Sequence, residues 1–213
     1  MKKVIFLILV VLLLSVINVY SVATTVSYIK AAWNHDPVTV YISIQKGVNS
    51  SYIDEVKTVL SGWSNGLKSK AGNYEVFNFN ILNKPQSKKH AADISIQVKK
   101  NTGNILGSTR ILSSGGTLAY TEITIASQNA LGKTLDRSDF RNILRHEVGH
   151  ALGLGHSNDN GTGEKDLMYP TYDYLEIGYD VFPSNLNLDA LIYLYKTDGF
   201  SSPNLSPIPS AYP

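Results

Sequence analysis

The pattern of apolar and polar positions predicts four strands and one helix between residues 38 and 126. Apolar residues alternate with polar ones over residues 38–44, 75–82, 92–98 and 118–126. Alternation of this kind indicates half-buried strands. Between the first two stretches, residues 49–67 carry apolar side chains at helical spacing, which predicts an amphipathic helix. The buried face of this helix is predicted to hold Ile53, Val56, Leu60, Trp63 and Leu67.

A glycine-rich segment at residues 101–117 predicts a further hairpin. Its Ser113-Ser114-Gly115-Gly116 sequence is typical of a turn between two short strands. We expect the first of these strands, over residues 106–112, to form an edge of the sheet. The free backbone of an edge strand can bind an extended peptide by adding a strand. A simple surface hairpin is the alternative interpretation of the same segment.

The second half of the chain predicts two helices separated by a long loop. Asp136 or Ser138 can cap the first helix, which continues into a histidine-rich sequence. Residues 158–166 are dominated by Asn, Asp, Gly and Glu and predict a loop. Apolar spacing over residues 188–195 predicts the closing helix. The Pro/Ser-rich residues 200–213 have little to bury, so we expect them to be disordered.

Three of the five histidines lie within the eleven residues His146-Glu147-Val148-Gly149-His150-Ala151-Leu152-Gly153-Leu154-Gly155-His156. His146 and His150 are four apart, so they share one helix face and can bind one metal ion. Gly153 allows the chain to leave the helix, and His156 can then supply a third ligand. Three imidazoles suit Zn²⁺ and leave a position for water, whose proton Glu147 can accept. A polar helix face, or a zinc site without catalysis, are the alternatives.

These residues resemble the metzincins, and among them the matrixins, because H-E-x-x-H-x-x-G-x-x-H matches at every fixed position. Ser157 after the third histidine is similar to the matrixin form. Met168 resembles the methionine of the matrixin Met-turn, and Pro170 and Tyr172 resemble the wall of the pocket that takes the residue after the scissile bond. The resemblance covers about residues 31–197, densely at the histidines and loosely elsewhere.

The resemblance implies an α+β fold of the metzincin-type zincin class. We therefore expect a twisted, mostly parallel sheet of about five strands with two helices, followed by a small irregular lower part with a C-terminal helix. It implies a zinc metalloendopeptidase in which a zinc-activated water attacks the peptide bond and Glu147 is the general base. The substrate would be a peptide or protein, cut before an apolar residue. A non-catalytic zinc-binding or peptide-binding module of the same fold is the alternative.

The chain also departs from the family pattern. It contains no cysteine, so the thiol that keeps many matrixin zymogens latent is absent. The histidine-rich loop that holds a second, structural zinc in animal matrixins is not recognisable. His90 and Asp93 are the only nearby candidates, and two residues cannot close a tetrahedral site. We therefore expect one catalytic Zn²⁺; the loop at 158–166 could bind Ca²⁺, although a solvated loop is the favoured interpretation.

The amino terminus predicts export. Lys2 and Lys3 precede the apolar residues 4–14, and Ser21 and Ala23 suit a signal cleavage site. We expect a signal peptide at 1–23, a catalytic domain at 24–199 and the tail at 200–213. The product would be extracellular; an uncleaved anchor would instead hold it at the cell surface.

The charge of the chain excludes one class of partner. The 19 basic residues include Lys2 and Lys3, so without residues 1–23 the basic residues balance the 17 acidic ones. Such a balance gives no indication of nucleic-acid binding. We expect a monomer.

Overall fold

The computed structural model describes residues 24–87, 90–158, 166–171, 178–195 and 207–212. In these residues eight strands and three helices are formed. They are β1 (Val26–Tyr28), β2 (Val38–Ile44), α1 (Tyr52–Lys70), β3 (Phe79–Leu82), β4 (Ile94–Lys99), β5 (Gly107–Ser114), β6 (Thr117–Ala126), α2 (Arg137–Ala151), β7 (Leu154–Ser157), α3 (Asn185–Tyr195) and β8 (Ala211–Tyr212).

A five-stranded sheet with the order β3-β2-β4-β6-β5 forms the larger layer. The pairs β2–β3, β2–β4 and β4–β6 are parallel, and β5 pairs antiparallel with β6. Strand β5 lies at one end of this order, so the predicted edge position of residues 106–112 is confirmed. The predicted α+β class and the mostly parallel sheet of five strands are confirmed as well.

The core lies between this sheet and the helices α1 and α2. Alternate residues of β4, Ile94 and Ile96, are fully buried, and Trp63 of α1 is fully buried as well. The Trp63 indole donates a hydrogen bond to the Arg145 carbonyl of α2 at 3.2 Å. The indole N–H is thus satisfied inside the core, and the contact joins α1 to the helix that carries the first two histidines.

A second sheet has the order β7-β1-β8, and the sequence pattern did not predict it. Strand β1 pairs antiparallel with β7 on one side and with β8 on the other. Residues 207–212 therefore correct the prediction of a disordered tail, because Ile208 and Tyr212 pack against the core. These few apolar contacts, together with the backbone pairing to β1, offset the ordering of a short Pro/Ser-rich segment. The tail residues 200–206 and 213 lie outside the described residues.

Two further predictions differ from the structure in extent. The strand predicted over residues 75–82 is limited to Phe79–Leu82. Val76 and Phe77 are buried in the core without joining the sheet. Their apolar pattern therefore indicates burial and not strand pairing. The predicted signal peptide or anchor, residues 1–23, lies outside the described residues. None of the helices in the described ranges has both the length and the apolar character needed to cross a bilayer.

Candidate metal centre and active site

Helix α2 carries the first two histidines on one face, and a backbone carbonyl orients each ring. His146 Nδ1 lies 2.7 Å from the Leu167 carbonyl, and His150 Nδ1 lies 2.9 Å from the Leu154 carbonyl. A carbonyl only accepts hydrogen bonds, so each Nδ1 is assigned the proton. Each Nε2 then holds a free lone pair, which is the form that binds a metal.

The third histidine reaches the same point from strand β7. Helix α2 ends at Ala151, and Gly153 follows with φ +111°. A side chain at Gly153 would be strained at this φ and would lie 3.1 Å from the Ala31 carbonyl. The turn brings the His156 ring to 4.9 Å from the His150 ring, measured between centroids. The predicted break at Gly153 is thus present in the backbone.

The three rings fit a single metal ion. One ligand nitrogen from each of His146, His150 and His156 lies within 4.8 Å of the others, and the group is the one cluster of this kind among the described residues. The Nε2 atoms of His146 and His150 are 3.0 Å apart. Two lone pairs at this distance repel each other unless a cation lies between them. Tetrahedral zinc places its ligand nitrogens about 3.3 Å apart, so the donor set suits Zn²⁺.

Burial favours the neutral form of all three imidazoles. It lowers the pKa of His150 to about 4, and the nearby His146 ring acts in the same direction. Burial also lowers the pKa values of His146 and His156. Neutral histidines are the species that bind metal, so the rings are ready to bind a cation near neutral pH.

Glu147 lies beside the histidines, with its side chain buried and held by strand β5. The Thr109 hydroxyl donates to Glu147 Oε2 at 2.6 Å. Burial raises the pKa of Glu147 to about 7, against the effect of the Thr109 hydrogen bond. A Cβ at Gly107 would lie 2.8 Å from Glu147 Oε1, so β5 approaches α2 closely at this glycine. The sequence indicated this strand, but it gave no signal for Gly107 or Thr109.

Met168 packs beneath the helix that carries His146 and His150. Its side chain is fully buried, and a Cβ on Gly149 would overlap the Met168 sulfur. The backbone N–H of Met168 donates to Asp166 Oδ1 at 2.8 Å, and Asn187 Nδ2 donates to the same oxygen at 2.9 Å. Helix α3 thereby supports the turn that contains Met168 (the Met168 turn) through Asp166. The sequence pattern did not predict this role of Asp166.

A cavity of about 340 Å³ opens next to His146 and Glu147. Leu106, Ile143 and Pro170 give it apolar walls, and the remaining lining residues are Asn104, Gly107, Tyr169 and Thr171. Pro170, one of the two predicted wall residues, lines this cavity, and its role in a substrate pocket stays a prediction. Tyr172, the second predicted wall residue, lies outside the described residues, as does most of the candidate calcium loop at 158–166.

A second cavity, of about 570 Å³, lies on the outer face of the large sheet and contains none of the three clustered histidines. His90 lines this cavity, with its ring centroid 4.4 Å from that of Tyr120. Asp93 is engaged elsewhere, because it accepts hydrogen bonds from the Thr39 backbone and hydroxyl and from His35. His90 and Asp93 are not grouped as metal ligands among the described residues. The expectation of a single zinc stays a prediction.

Comparisons with known proteins find relatives whose sequences match part of this chain. The macrophage metalloelastase of Oryctolagus cuniculus is 40% identical over 63 residues, which is 30% of this chain and 12% of that protein. The stromelysin-2 of Rattus norvegicus is 32% identical over 71 residues, 33% of this chain and 14% of that protein. The chain thus spans less than a sixth of the length of either relative.

Among solved structures, high choriolytic enzyme 1, a hatching-enzyme zinc-protease of the medaka fish Oryzias latipes, aligns with a TM-score of 0.33. The alignment has 16% identity and covers 59% of this chain and 50% of that one. The family model described as Matrixin matches residues 32–181, which include the three histidines, Glu147 and Met168. The chain therefore belongs to the matrixins, a family of zinc metalloendopeptidases.

Proposed function

We propose that this chain is a secreted zinc-dependent metalloendopeptidase in which His146, His150 and His156 hold the metal. One observation carries the proposal: three imidazole nitrogens converge within 4.8 Å beside a buried carboxylate at the mouth of a partly apolar cavity. A bound zinc ion supplies a Lewis acid and lowers the pKa of a coordinated water to about 7. The remaining steps fall to side chains of the chain itself.

Glu147 is the proposed general base and acid. Its carboxylate accepts a proton from the water that attacks the peptide carbonyl, and a C–O bond forms. The same group then donates the proton to the amide nitrogen as the C–N bond breaks, which releases an amine and a carboxylic acid. The acid then loses its proton to solvent at neutral pH. Burial keeps bulk water away from the Glu147 carboxylate, and the Thr109 hydroxyl fixes its orientation.

Strand β5 and the cavity would position the substrate. The edge of β5 that faces away from β6 has no partner strand among the described residues, so an extended peptide can pair with it. The side chain after the scissile bond would then enter the cavity lined by Leu106, Ile143 and Pro170. These walls favour an apolar residue at that position.

Replacement of Glu147 by Gln tests the proposal directly. Gln keeps the size of the side chain but cannot accept the proton, so turnover of a peptide should fall by about 10²–10⁴-fold. The zinc content should stay at one per chain, because Glu147 is not a ligand. Glu122→Gln, on the outer face of the sheet, is the matched control and should keep native turnover. Chelator-sensitive activity at the native level in Glu147→Gln would refute the role of Glu147.

Substrate preference and metal dependence can be measured together. A peptide library digested with the native protein should show cleavage before apolar residues, loss of cleavage with a chelator and recovery when zinc is added back. Cleavage that persists in the chelator would contradict a metal-dependent mechanism.

The proposed secretion requires removal of residues 1–23. Amino-terminal sequencing of the protein recovered from the medium should begin at Thr24. Recovery of the intact amino terminus in the membrane fraction would instead favour the anchored form.

A further inference from the structure

The third histidine is held differently from the other two. His146 and His150 lie on a rigid helix, and a backbone carbonyl orients each ring. His156 lies on the four-residue strand β7, and neither of its ring nitrogens has a hydrogen-bond partner in the described ranges. The position of the His156 ring therefore depends on the contacts that fix the backbone of β7.

Strand β1 and its flanking residues hold that backbone on both sides of His156. The N–H of Ile29 donates to the Gly153 carbonyl at 3.0 Å, before the histidine. After it, the N–H of Asn158 donates to the Thr25 carbonyl at 3.1 Å, and the Asn158 side chain accepts from the Thr25 N–H at 2.8 Å. The segment 25–29 thus brackets the third histidine.

The two strands lie very close together at Ser27. Its hydroxyl donates a hydrogen bond to the His156 carbonyl at 2.9 Å. A Cβ on Gly155 would overlap the Ser27 hydroxyl oxygen, and it would lie 3.2 Å from both the Ser27 Cβ and the Ser27 carbonyl. Only glycine at position 155 lets β7 lie this close to β1.

Strand β1 is itself anchored in the core. Val26 is fully buried, and Tyr28 is 5% exposed. The Tyr28 hydroxyl donates to the Ala190 carbonyl of α3 at 2.7 Å. Strand β8 pairs with the other edge of β1, with Ala211 opposite Ser27. Because the core, α3 and β8 all hold β1 in place, β1 gives β7 a fixed position to pair with.

We propose that β1 positions the third metal ligand, through the contact of Ser27 with Gly155 and His156. This inference rests on the proposed zinc site and adds a positioning role for residues far from the H-E-x-x-H helix. Displacement of β7 by a few tenths of an ångström would move the His156 nitrogen relative to the other two. The cost would appear in zinc affinity, because outer partners of metal ligands typically contribute 10–100-fold.

Zinc affinity of the purified protein, measured by competition with a chromophoric chelator, tests this role. Gly155→Ala should bind zinc at least tenfold more weakly, because the new Cβ pushes β7 away from β1. The double variant Ser27→Gly/Gly155→Ala removes the overlapping atoms and should restore affinity to within about fivefold of native. Gly62→Ala is the matched control: a Cβ there has no neighbour within 4 Å, so affinity should be unchanged.

Ser27→Ala is the milder variant and decides the question if Gly155→Ala does not fold. It removes one hydrogen bond, so zinc should bind about fivefold more weakly. The free energy of unfolding of each variant, measured in chelator, separates positioning from stability. Native zinc affinity in both Ser27→Ala and Gly155→Ala would overturn the proposal, as would a loss confined to the stability of the metal-free protein.

The same measurements distinguish this inference from the proposed function. A native protein that binds no zinc would refute the metal site itself. A native protein that binds zinc and cleaves peptides, with all β1 and β7 variants at native affinity, would refute only the positioning role of β1.

Discussion

The Thr109 hydroxyl is a direct hydrogen-bond partner of the Glu147 side chain. It donates to the carboxylate at 2.6 Å and lies 3.0 Å from the backbone carbonyl of the same residue. A hydrogen bond to a buried carboxylate contributes more than one between neutral groups, about 1.5–3 kcal/mol. The orientation of the proposed base therefore depends on a strand residue that lies 38 positions earlier in the chain.

Thr109→Val keeps the shape of the side chain and removes the donor. We expect turnover to fall by about 10–100-fold, as the loss of a hydrogen bond to a charged group implies, with zinc content unchanged. The control is Thr121→Val on the adjacent strand β6, whose buried hydroxyl has no hydrogen-bond partner in the part of the chain that the structure describes. Equal turnover in the two variants would show that the Thr109 contact has no catalytic role.

Gly149 shows a second dependence on a single residue. An alanine in a helix normally stabilises it by about 1 kcal/mol relative to glycine. At Gly149, however, the added Cβ would overlap the Met168 sulfur and lie 3.4 Å from Trp63 Cζ2. Overpacking of this kind costs about 1–3 kcal/mol, so the steric effect outweighs the helix propensity.

We therefore expect Gly149→Ala to lower the free energy of unfolding, measured with urea in the presence of a chelator. Gly62→Ala in helix α1 meets open space and should stabilise the protein by up to about 1 kcal/mol. The test is that the two substitutions change the free energy of unfolding in opposite directions. Stabilisation by Gly149→Ala would mean that Met168 does not pack against the helix as described.

At the scale of elements, helix α2 uses two different faces. One face carries the histidines, and another binds the chain that returns after the Met168 turn. Arg141 makes two hydrogen bonds to Asp180, at 2.7 and 2.9 Å, and Arg145 donates to the same carboxylate at 2.7 Å. Asn142 accepts from the Val181 N–H at 2.7 Å. The residues before α3 are thus fixed to the helix that carries the proposed catalytic base.

This ion cluster predicts the response of stability to acid. Burial raises the pKa of Asp180, but hydrogen bonds and charge from Arg141 and Arg145 outweigh it and hold the pKa below its ordinary value. A depressed pKa gives stability that is present above the unfolded-state pKa of about 3.9 and lost as pH falls through the folded-state value. The acid limb of the stability curve should therefore include the titration of Asp180.

Asp180→Asn should cost about 1–3 kcal/mol at pH 7, because the Arg145 side chain is only 2% exposed and a charged acceptor next to it is lost. Urea unfolding of the metal-free protein from pH 7 to pH 2 measures the difference. The native and variant curves should converge as the pH falls below about 4. A constant difference across the whole range would exclude Asp180 as the titrating group.

The sequence predicted the elements in which apolar residues recur at a clear spacing. Strand β2 matches its predicted range, Val38–Ile44, and the edge position of β5 was also foreseen. The three-residue strand β1 and the two-residue strand β8 are too short to show a period. The contact of Thr109 with Glu147 has no local signal either, because tertiary packing alone brings β5 onto α2.

At the scale of the whole molecule, the metal site joins segments that are distant in sequence. His146 and His150 belong to the helix that packs on the large sheet, whereas His156 belongs to the small sheet that contains both β1 and β8. A ligand that binds only when these parts are assembled stabilises the folded state by RT ln(1 + [L]/Kd). Zinc should therefore link the stability of the two sheets.

The melting temperature should accordingly rise with free zinc concentration. Each tenfold increase above the dissociation constant adds about 1.4 kcal/mol to the free energy of unfolding, if the unfolded chain binds zinc weakly. His156→Ala provides the control, since two remaining imidazoles bind more weakly and the rise should begin only at much higher zinc. The two proteins should melt alike in excess chelator, because the His156 ring has no hydrogen bond to lose among the described residues. A native melting temperature that does not change between chelator and saturating zinc would mean that the three rings do not share an ion.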